Sequence, residues 1–376
     1  MRYSEGNNLF KTAFSPEKKE IMIPGSRARI LNLSFCSEEP EMEFQNSHDL
    51  SFTENMSFSY PVFLPANKQS RKVMLLLHGL NERSWLKYLT WGNYLCENTD
   101  SYVILFPISF HINRSPGSWK DPRVMSQEVQ NRVSLAHNVQ MASFANVALS
   151  KRLTDDPRRF FFSGYRTAAD ITRLFDSIRK GNHEVIPATS EFNIFSYSIG
   201  AFLAEILMMT NPAGLFSQSK LFMLCGGSVF SRMHGTSKLI MDSLAFRTIF
   251  CYYMEEFEET LKQRNSLSGF FRSNRLGMVF RSMIDTGRLK IFREKIISEM
   301  RERICAITLL KDLVIPPAGI VETLDCFNTG RVVEVADFPY DYSHENPFPV
   351  FGNALISRKV DDCFERVMSK AAEFFV

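Results

Sequence analysis

The stretch that decides the fold of this chain is Ser196-Tyr197-Ser198-Ile199-Gly200. An apolar run at 191–195, typical of a buried strand, precedes it, and an apolar run at 201–209, typical of a helix, follows it. A strand, a sharp turn centred on a serine and a helix are the context of a nucleophile elbow. The turn needs small residues on both sides, because the strand and helix backbones pass close to it. Ser196 stands where glycine is commoner, and the five residues alone equally fit an ordinary strand-to-helix turn.

The composition is that of an ordinary globular protein. Of 376 residues, 45% are apolar and 23% are charged, and the formal net charge is +3. This near balance, without a run of lysine and arginine, argues against nucleic acid as a partner. The seven cysteines are scattered without a C-x-x-C pair, which favours reduced thiols and a cytoplasmic protein. Neither cysteines nor histidines show metal-ligand spacing, so we expect no metal and no other cofactor.

The sequence also bears on membranes. Residues 1–8 contain no apolar segment of the kind that a secretory signal peptide requires. The longest apolar runs, such as 73–77, are far too short to span a bilayer. We therefore expect no stable membrane insertion. The oligomeric state is left open by these patterns.

Short apolar runs alternate with helical patterns from residue 71 onward. The runs at 73–77 and 101–107 flank a helical pattern at 84–96, which together form a βαβ unit. Runs that are apolar throughout are typical of strands covered on both faces, as in a parallel sheet. Further strands are predicted at 221–225, 304–310 and 331–335, and the chain is predicted to close with a helix over 357–375.

Residues 109–165 and 231–303 interrupt this alternation, and the patterns together suggest a division of the chain. Residues 1–58 are interpreted as an N-terminal extension with edge strands. Residues 59–230 and 304–376 are predicted to form the core. Residues 231–303 have mixed apolar and charged spacing, which predicts two or more helices inserted over the sheet as a cap.

Three side chains of types common in catalytic sites each follow a predicted strand, and their order along the chain is informative. Ser198 comes first, Asp312 second and His344 third, which is the order of the triad in α/β-hydrolases. With His78-Gly79 after an earlier strand, these motifs frame residues 59–376 and resemble the α/β-hydrolase superfamily of serine hydrolases. The resemblance implies a mostly parallel central sheet with helices on both faces and a helical cap insertion. The whole chain also resembles bacterial hypothetical proteins, which imply no substrate.

The chemistry explains why these residue types are needed. A serine hydroxyl is a poor nucleophile at neutral pH and needs an adjacent base. His344 can take the proton of Ser198, and Asp312 can orient the imidazole and stabilise its charged form. Asp325, Asp337 and Asp341 lie near enough in sequence to compete with Asp312 for that role.

The oxyanion of the tetrahedral intermediate needs preorganised donors. One is the backbone N–H of Ile199, next after the nucleophile, and a second is expected from Leu80 or Asn81. His78 is expected to shape that turn rather than to act as the base. Trp119, Tyr197 and Ser228 are predicted to line the substrate pocket.

We therefore expect a serine hydrolase that cleaves an ester or a related acyl bond of a small molecule through an acyl-enzyme, most simply a carboxylic-ester hydrolase. A peptidase or a thioesterase would use the same triad. A third alternative is a non-catalytic protein of this fold that only binds a ligand.

Overall fold

A computed structural model describes residues 1–38, 49, 51–135, 138–263, 265–324 and 332–376. In this part of the chain nine strands form one sheet. The strands are β1 (Glu20–Met22), β2 (Arg29–Cys36), β3 (Ser57–Leu64), β4 (Lys72–Leu77), β5 (Tyr102–Leu105), β6 (Glu191–Tyr197), β7 (Leu221–Leu224), β8 (Ile304–Leu309) and β9 (Val333–Ala336). Their order across the sheet is β1-β2-β3-β5-β4-β6-β7-β8-β9.

The sheet is antiparallel at one edge and parallel elsewhere. Strands β1, β2 and β3 pair antiparallel with one another, and β3 pairs antiparallel with β5. From β5 to β9 every pairing is parallel. Parallel strands end at the same edge, so the loops that follow β4, β6, β7, β8 and β9 gather there.

Helices connect the strands. They are α1 (Tyr3–Ala13), α2 (Thr53–Met56), α3 (Leu86–Thr99), α4 (Pro122–Leu135), α5 (Val147–Asp155), α6 (Arg159–Arg179), α7 (Ile199–Thr210), α8 (Ser243–Cys251), α9 (Phe257–Lys262), α10 (Ser266–Ser273), α11 (Arg275–Ile284), α12 (Lys290–Met300), α13 (Pro317–Leu324) and α14 (Ala354–Phe375). A π-helical turn, Tyr252–Glu256, joins α8 to α9.

Both faces of the sheet are covered, because its central strands are apolar throughout. Within β4, Val73 and Leu75 belong to the core cluster that includes α6 and α7, whereas Met74 and Leu76 belong to the cluster that includes α1, α3 and α14. This is the alternation expected of a strand buried on both sides. The predicted fold class is confirmed in its architecture: an α/β fold with a mostly parallel central sheet and helices on both faces.

The N-terminal segment contains more structure than edge strands. Its helix α1 was not predicted, and it packs against α3 and α14 near the end of the chain. The Tyr3 hydroxyl donates to the carbonyl of Phe348 at 2.9 Å, and the backbone N–H of Ser4 donates to Asp361 at 2.8 Å. These partners lie about 350 residues away in sequence, so no local pattern could indicate them.

Helix α6 begins at Arg159, and Phe161 and Phe162 are buried in its first turn. Residues 231–303 hold α8 to α12, and α11 packs on α7, while their assignment as a separate cap domain stays a prediction. The start of the predicted strand at 331 and Asp325 lie outside the described residues. None of the described helices has the length and apolar character that crossing a bilayer requires.

Candidate active site

The turn after β6 has the backbone of a nucleophile elbow. Ser198 has φ 57° and ψ −128°, a backbone conformation that residues other than glycine rarely adopt. A Cβ at Gly200 would lie 2.7 Å from the carbonyl oxygens of Leu77 and His78, so only glycine fits there. Ser196 is buried, and its hydroxyl donates to the carbonyl of Phe222 at 3.2 Å. That bond gives a physical reason for serine at a position where glycine is commoner.

The structure brings Ser198, His344 and Asp312 together. Ser198 Oγ lies 2.7 Å from His344 Nε2, and His344 Nδ1 lies 2.7 Å from Asp312 Oδ2. A carboxylate only accepts, so Nδ1–H donates to Asp312 and leaves Nε2 to accept from the Ser198 hydroxyl. All three side chains are buried, at 4%, 4% and 2% exposure for Ser198, His344 and Asp312. The three predicted residues therefore form one continuous chain of hydrogen bonds.

Asp312 is itself fixed by its own loop. Its Oδ1 accepts hydrogen bonds from the backbone N–H groups of Val314 and Ile315, both at 2.9 Å. Its rival Asp337 accepts instead from the Tyr342 hydroxyl at 2.8 Å and pairs with Lys311. Of the competing carboxylates that the structure describes, Asp312 is therefore the one that reaches His344.

Tyr197 supports His344 from below. Its hydroxyl donates to the backbone carbonyl of His344, and the two rings stack with centroids 5.7 Å apart. The ammonium group of Lys87 lies 4.6 Å from the centre of the Tyr197 ring. Tyr197 also lines the cleft beside Ser198. Its main contacts hold the backbone of His344 in place, a positioning contribution that the predicted pocket assignment did not include.

The backbone donors around Ser198 fit an anion site. In the part of the chain that the structure describes, the N–H groups of Ile199, Leu80 and Asn81 have no hydrogen-bond acceptor. The N–H of Gly79, in contrast, donates to the Tyr88 hydroxyl at 3.0 Å. The side-chain amide of Asn81 donates to two carbonyls, at 2.8 Å each, which holds this turn open.

His78 holds the same turn from inside. Its Nε2 accepts from the backbone N–H of Ile108 at 2.9 Å, so Nδ1 carries the proton and donates to the carbonyl of Gly79 at 2.8 Å. Burial lowers the pKa of His78 well below its ordinary value, which keeps the ring neutral. The geometry agrees with the expectation that His78 shapes the turn.

Two cavities adjoin Ser198. The entry cleft, about 620 Å³, opens beside Ser198 and His344 and is lined by polar residues such as Arg83, Lys87 and Glu345. The inner pocket, about 390 Å³, also borders Ser198 and shares Leu80 and Ile240 with the entry cleft. Its walls are almost entirely apolar and include Phe160, Ile199, Phe230, Met233, Ile240 and Phe246.

Two predicted pocket residues do not line these cavities. Trp119 stacks on Phe110 with ring centroids 6.0 Å apart, and its carbonyl accepts from Arg83 at 2.9 Å, so it lies behind the cleft. Ser228 is fully buried, and its hydroxyl donates to the carbonyl of Val229 at 3.2 Å. Neither residue is therefore among those that line the entry cleft or the inner pocket.

Sequence reasoning also missed how closely the loop after β7 supports the elbow. A Cβ at Gly226 would lie 2.5 Å from the Cβ of Ala201 and 2.7 Å from the carbonyl oxygen of Ser198. The adjacent pair Gly226-Gly227 was the available signal, because consecutive glycines mark close backbone approach. Gly226 therefore lets the end of β7 pack directly under Ser198.

Cys225 and the possible metal ligands complete the site's inventory. Burial raises the pKa of the Cys225 thiol well above its ordinary value, so the group stays neutral and is a poor nucleophile. Among the described residues no group of three histidine, cysteine, aspartate or glutamate side chains has the geometry to hold a metal ion.

Several solved structures resemble this chain. They include an acylaminoacyl peptidase from Pyrococcus horikoshii (12% identity, 92% of this chain, TM-score 0.41) and carboxyl esterase 2 from Tuber melanosporum (8% identity, 94% of this chain, TM-score 0.47). An esterase from Pyrobaculum calidifontis also matches (9% identity, 92% of this chain, TM-score 0.44). The chain spans 41% of the peptidase's length, and 88% and 85% of the two esterases.

Comparison of the sequences gives a different kind of result. No curated protein matches the chain significantly. A family model does match, and it covers nearly the whole sequence, from residue 8 to residue 376. Over that length the chain belongs to the family described as the family of unknown function DUF6051.

Proposed function

We propose that this protein is a serine hydrolase of the α/β-hydrolase superfamily that cleaves an ester or a related acyl bond. The observation that carries the proposal is the hydrogen-bonded chain from Ser198 through His344 to Asp312, with distances of 2.7 Å at both links. The strained backbone at Ser198 adds support, because such strain is a feature of nucleophile elbows and projects the hydroxyl from the turn.

In the proposed mechanism, Ser198 attacks the acyl carbon while His344 Nε2 takes its proton. Asp312, held by two backbone N–H groups, stabilises the resulting imidazolium. His344 then returns the proton to the leaving alcohol, and an acyl-enzyme remains on Ser198. Water, deprotonated by His344, releases the acid in the second half of the reaction.

The oxyanion would be held by the N–H groups of Ile199 and of Leu80 or Asn81. These donors lack acceptors among the described residues, so they are free to bind a developing negative charge. Ile199 begins α7, and the positive end of the helix dipole adds to this stabilisation. Removing one such donor typically costs about 10²- to 10³-fold in kcat.

The two cavities suggest how a small acyl substrate would lie. The apolar inner pocket suits the acyl group, whereas the polar entry cleft suits the leaving alcohol and the incoming water. An ester fits this division better than a long peptide, because residues of α8 and of the loop before it wall the apolar inner pocket beside Ser198.

A fluorophosphonate probe tests the nucleophile directly. We expect the wild-type protein to be labelled and Ser198→Ala to remain unlabelled. Ser228→Ala is the matched control, since this buried serine follows the neighbouring strand and should not alter labelling. Equal labelling of wild type and Ser198→Ala would refute the assignment. A panel of acyl esters of increasing chain length, measured on the same three proteins, would then test for turnover.

A further inference from the structure

A third cavity extends away from Ser198. This deep cavity shares Leu80, Phe160 and Ile199 with the inner pocket. Most of its walls are apolar and come from α5, α6, α7 and α11; they include Leu149, Leu153, Phe161, Phe202, Leu276 and Phe280. The cavity thus begins at the residue that follows the proposed nucleophile and continues beneath the helices.

The wall of the deep cavity also carries two arginines, Arg152 and Arg159. Both guanidinium groups face a single carboxylate: Arg152 lies 2.7 Å from Asp49 Oδ2, and Arg159 lies 3.4 Å from Asp49 Oδ1. The three side chains are only 7%, 8% and 8% exposed. Two buried positive charges therefore share one buried negative charge.

In the part of the chain that the structure describes, three arginines (Arg152, Arg158 and Arg159) face two carboxylates (Asp49 and Asp156), which leaves one positive charge in excess. Asp156 is taken by Arg158, which holds both of its oxygens at 2.9 Å and does not line the cavity. His111, also in the wall, adds no charge at neutral pH, because burial lowers its pKa to about 4. Burial lowers the pKa of Arg152 only to about 10, so it stays protonated. An unbalanced buried charge is costly unless a partner neutralises it.

Hydrogen-bond donors are also left over at this wall. Within the described residues, Arg152 Nε and the Ser163 hydroxyl are buried and have no hydrogen-bond partner. Both can donate to an anion. His111 Nε2 is likewise unpaired among the described residues, and it can take up a proton when a nearby anion raises its pKa. A carboxylate at this point would satisfy the two donors and balance the charge.

We propose that the acyl part of the substrate extends from the inner pocket into the deep cavity, where it ends in a carboxylate held by Arg152 and Ser163. The proposal rests on the hydrolase function proposed above and names its substrate class: monoesters of dicarboxylic acids with an apolar spacer. Water adds across the ester bond, so the products are the dicarboxylate and the free alcohol.

Paired substrates of equal length test this assignment. The 4-nitrophenyl ester of octanoic acid is compared with the mono-4-nitrophenyl ester of octanedioic acid, which differs only in its terminal carboxylate. We expect the wild type to prefer the charged ester about tenfold or more in kcat/KM, the usual worth of a hydrogen bond to a charged group. Arg152→Met should abolish this preference, and Arg158→Met, outside the cavity, should keep it.

Ser163→Ala provides a milder variant, should Arg152→Met fail to fold. It should reduce the preference for the charged ester about threefold, since one hydrogen bond of about 0.5–1.5 kcal/mol is lost. A wild type that hydrolyses both esters equally, or prefers the uncharged one, would overturn the cavity assignment and leave the hydrolase proposal intact.

A binding measurement separates the two proposals in the other direction. Calorimetry on Ser198→Ala compares the methyl esters of the same two acids, where no turnover can occur. We expect the charged ester to bind about tenfold more tightly, and the further change Arg152→Met to remove the difference. Selective binding without hydrolysis by the wild type would refute the hydrolase and retain the carboxylate site. Equal binding of both esters would refute the carboxylate site.

Discussion

Two neighbouring strand ends in this protein share an unusual backbone but differ in chemistry. Ser198 after β6 has φ 57°, and Cys225 after β7 has φ 51°. Both carry a potentially nucleophilic side chain at the edge where the parallel strands end. Ser198 Oγ lies 2.7 Å from His344 Nε2, and Ser198 lines two cavities, whereas Cys225 is fully buried with a raised thiol pKa. Backbone strain alone therefore does not make a nucleophile; a base and access to a ligand are needed as well.

The second strand end contributes by supporting the first. The end of β7 packs under the elbow at Gly226. A Cβ at Gly226 would lie only 2.7 Å from the carbonyl oxygen of Ser198. A backbone hydrogen bond also joins the two strand ends: the N–H of Ser198 donates to the carbonyl of Leu224 at 3.2 Å. The end of β6 thus carries Ser198, and the end of β7 fixes the position of Ser198.

The most decisive test of this contrast is removal of each candidate nucleophile. Ser198→Ala should lower kcat on an ester substrate by about 10⁵-fold or more, because the covalent route is lost. Cys225→Ala should change kcat by less than about threefold and lower the free energy of unfolding by about 1 kcal/mol, as expected for a small buried group. Steady-state kinetics and urea unfolding measure both. Comparable loss of activity in the two variants would remove the distinction between the two strand ends.

The next largest effect on kcat is expected from Asp312, which accepts a hydrogen bond from His344. Asp312→Asn should lower kcat by about 10⁴-fold, because the amide no longer holds the tautomer of His344 that accepts from Ser198. Asp337→Asn, in the exposed rival carboxylate, is the control and should retain activity. Rates on the same ester decide between them. If Asp337→Asn were the inactive variant, the acid would have been misassigned.

Gly226→Ala tests the mechanical link between the two ends. The added methyl would overlap Ala201 and the backbone of Ser198, so the elbow must shift, and a displacement near 1 Å can cost about 10²-fold in rate. We also expect about 1–3 kcal/mol of destabilisation from overpacking. Gly269→Ala is the control, since nothing lies within 4 Å of its Cβ. Unchanged kinetics in Gly226→Ala would mean that the ends are independent.

A smaller effect is expected from the support below His344. Tyr197→Phe removes the hydroxyl that donates to the carbonyl of His344 and keeps the stacked ring. The loss of a buried hydrogen bond of about 0.5–1.5 kcal/mol corresponds to about a tenfold decrease in kcat at most. KM should stay unchanged, because the substrate does not depend on this bond. An increase in KM with normal kcat would instead favour a pocket role for Tyr197.

The last prediction concerns the helix that follows the elbow and depends on pH. Glu205 in α7 is buried, neither of its oxygens has a partner among the described residues, and burial raises its pKa well above 4.5. Because the folded pKa exceeds the unfolded one, this group's contribution to stability is full below pH 4.5 and falls as the pH rises toward the folded pKa.

Glu205→Gln removes that titration without changing the shape of the side chain. The variant should match the wild type near pH 4 and exceed it at higher pH, by up to about 1.4 kcal/mol for each pH unit between the two pKa values. Urea unfolding at several pH values measures the difference. Parallel curves for both proteins would show that Glu205 is ionised in the fold.

The local features of the fold and of the candidate site were predictable from the sequence. The strand-turn-helix at Ser196 to Gly200 follows from residues adjacent in sequence, because burial pattern and backbone sterics act over a few positions. The order Ser198, Asp312, His344 could be read from strand ends, and the structure brings these three side chains into contact. Because parallel strands end at the same edge of a sheet, residues that follow different strands in the sequence can be predicted to lie close together.

The non-local parts were not predictable in the same way. Trp119 and Ser228 follow strand-end loops as the pattern suggested, yet one loop passes behind Arg83 and the other turns under the elbow. Helix α1 is stabilised by residues near the opposite terminus, and its own sequence carries only a moderate apolar stripe. Loop direction depends on what the rest of the chain packs against it, which no short window contains.

By itself, the sequence determined the sheet rhythm, the elbow and the types of residue available for chemistry, because strand burial and tight turns are governed by near neighbours. Only the tertiary structure decided which carboxylate meets His344 and that Gly226 closes under Ser198. It also decided that Arg152 and Arg159 share Asp49 beside an apolar cavity, a pairing across about 100 residues. Such charge balance depends on folded distance, since electrostatic partners are chosen by proximity in space and by exclusion of water.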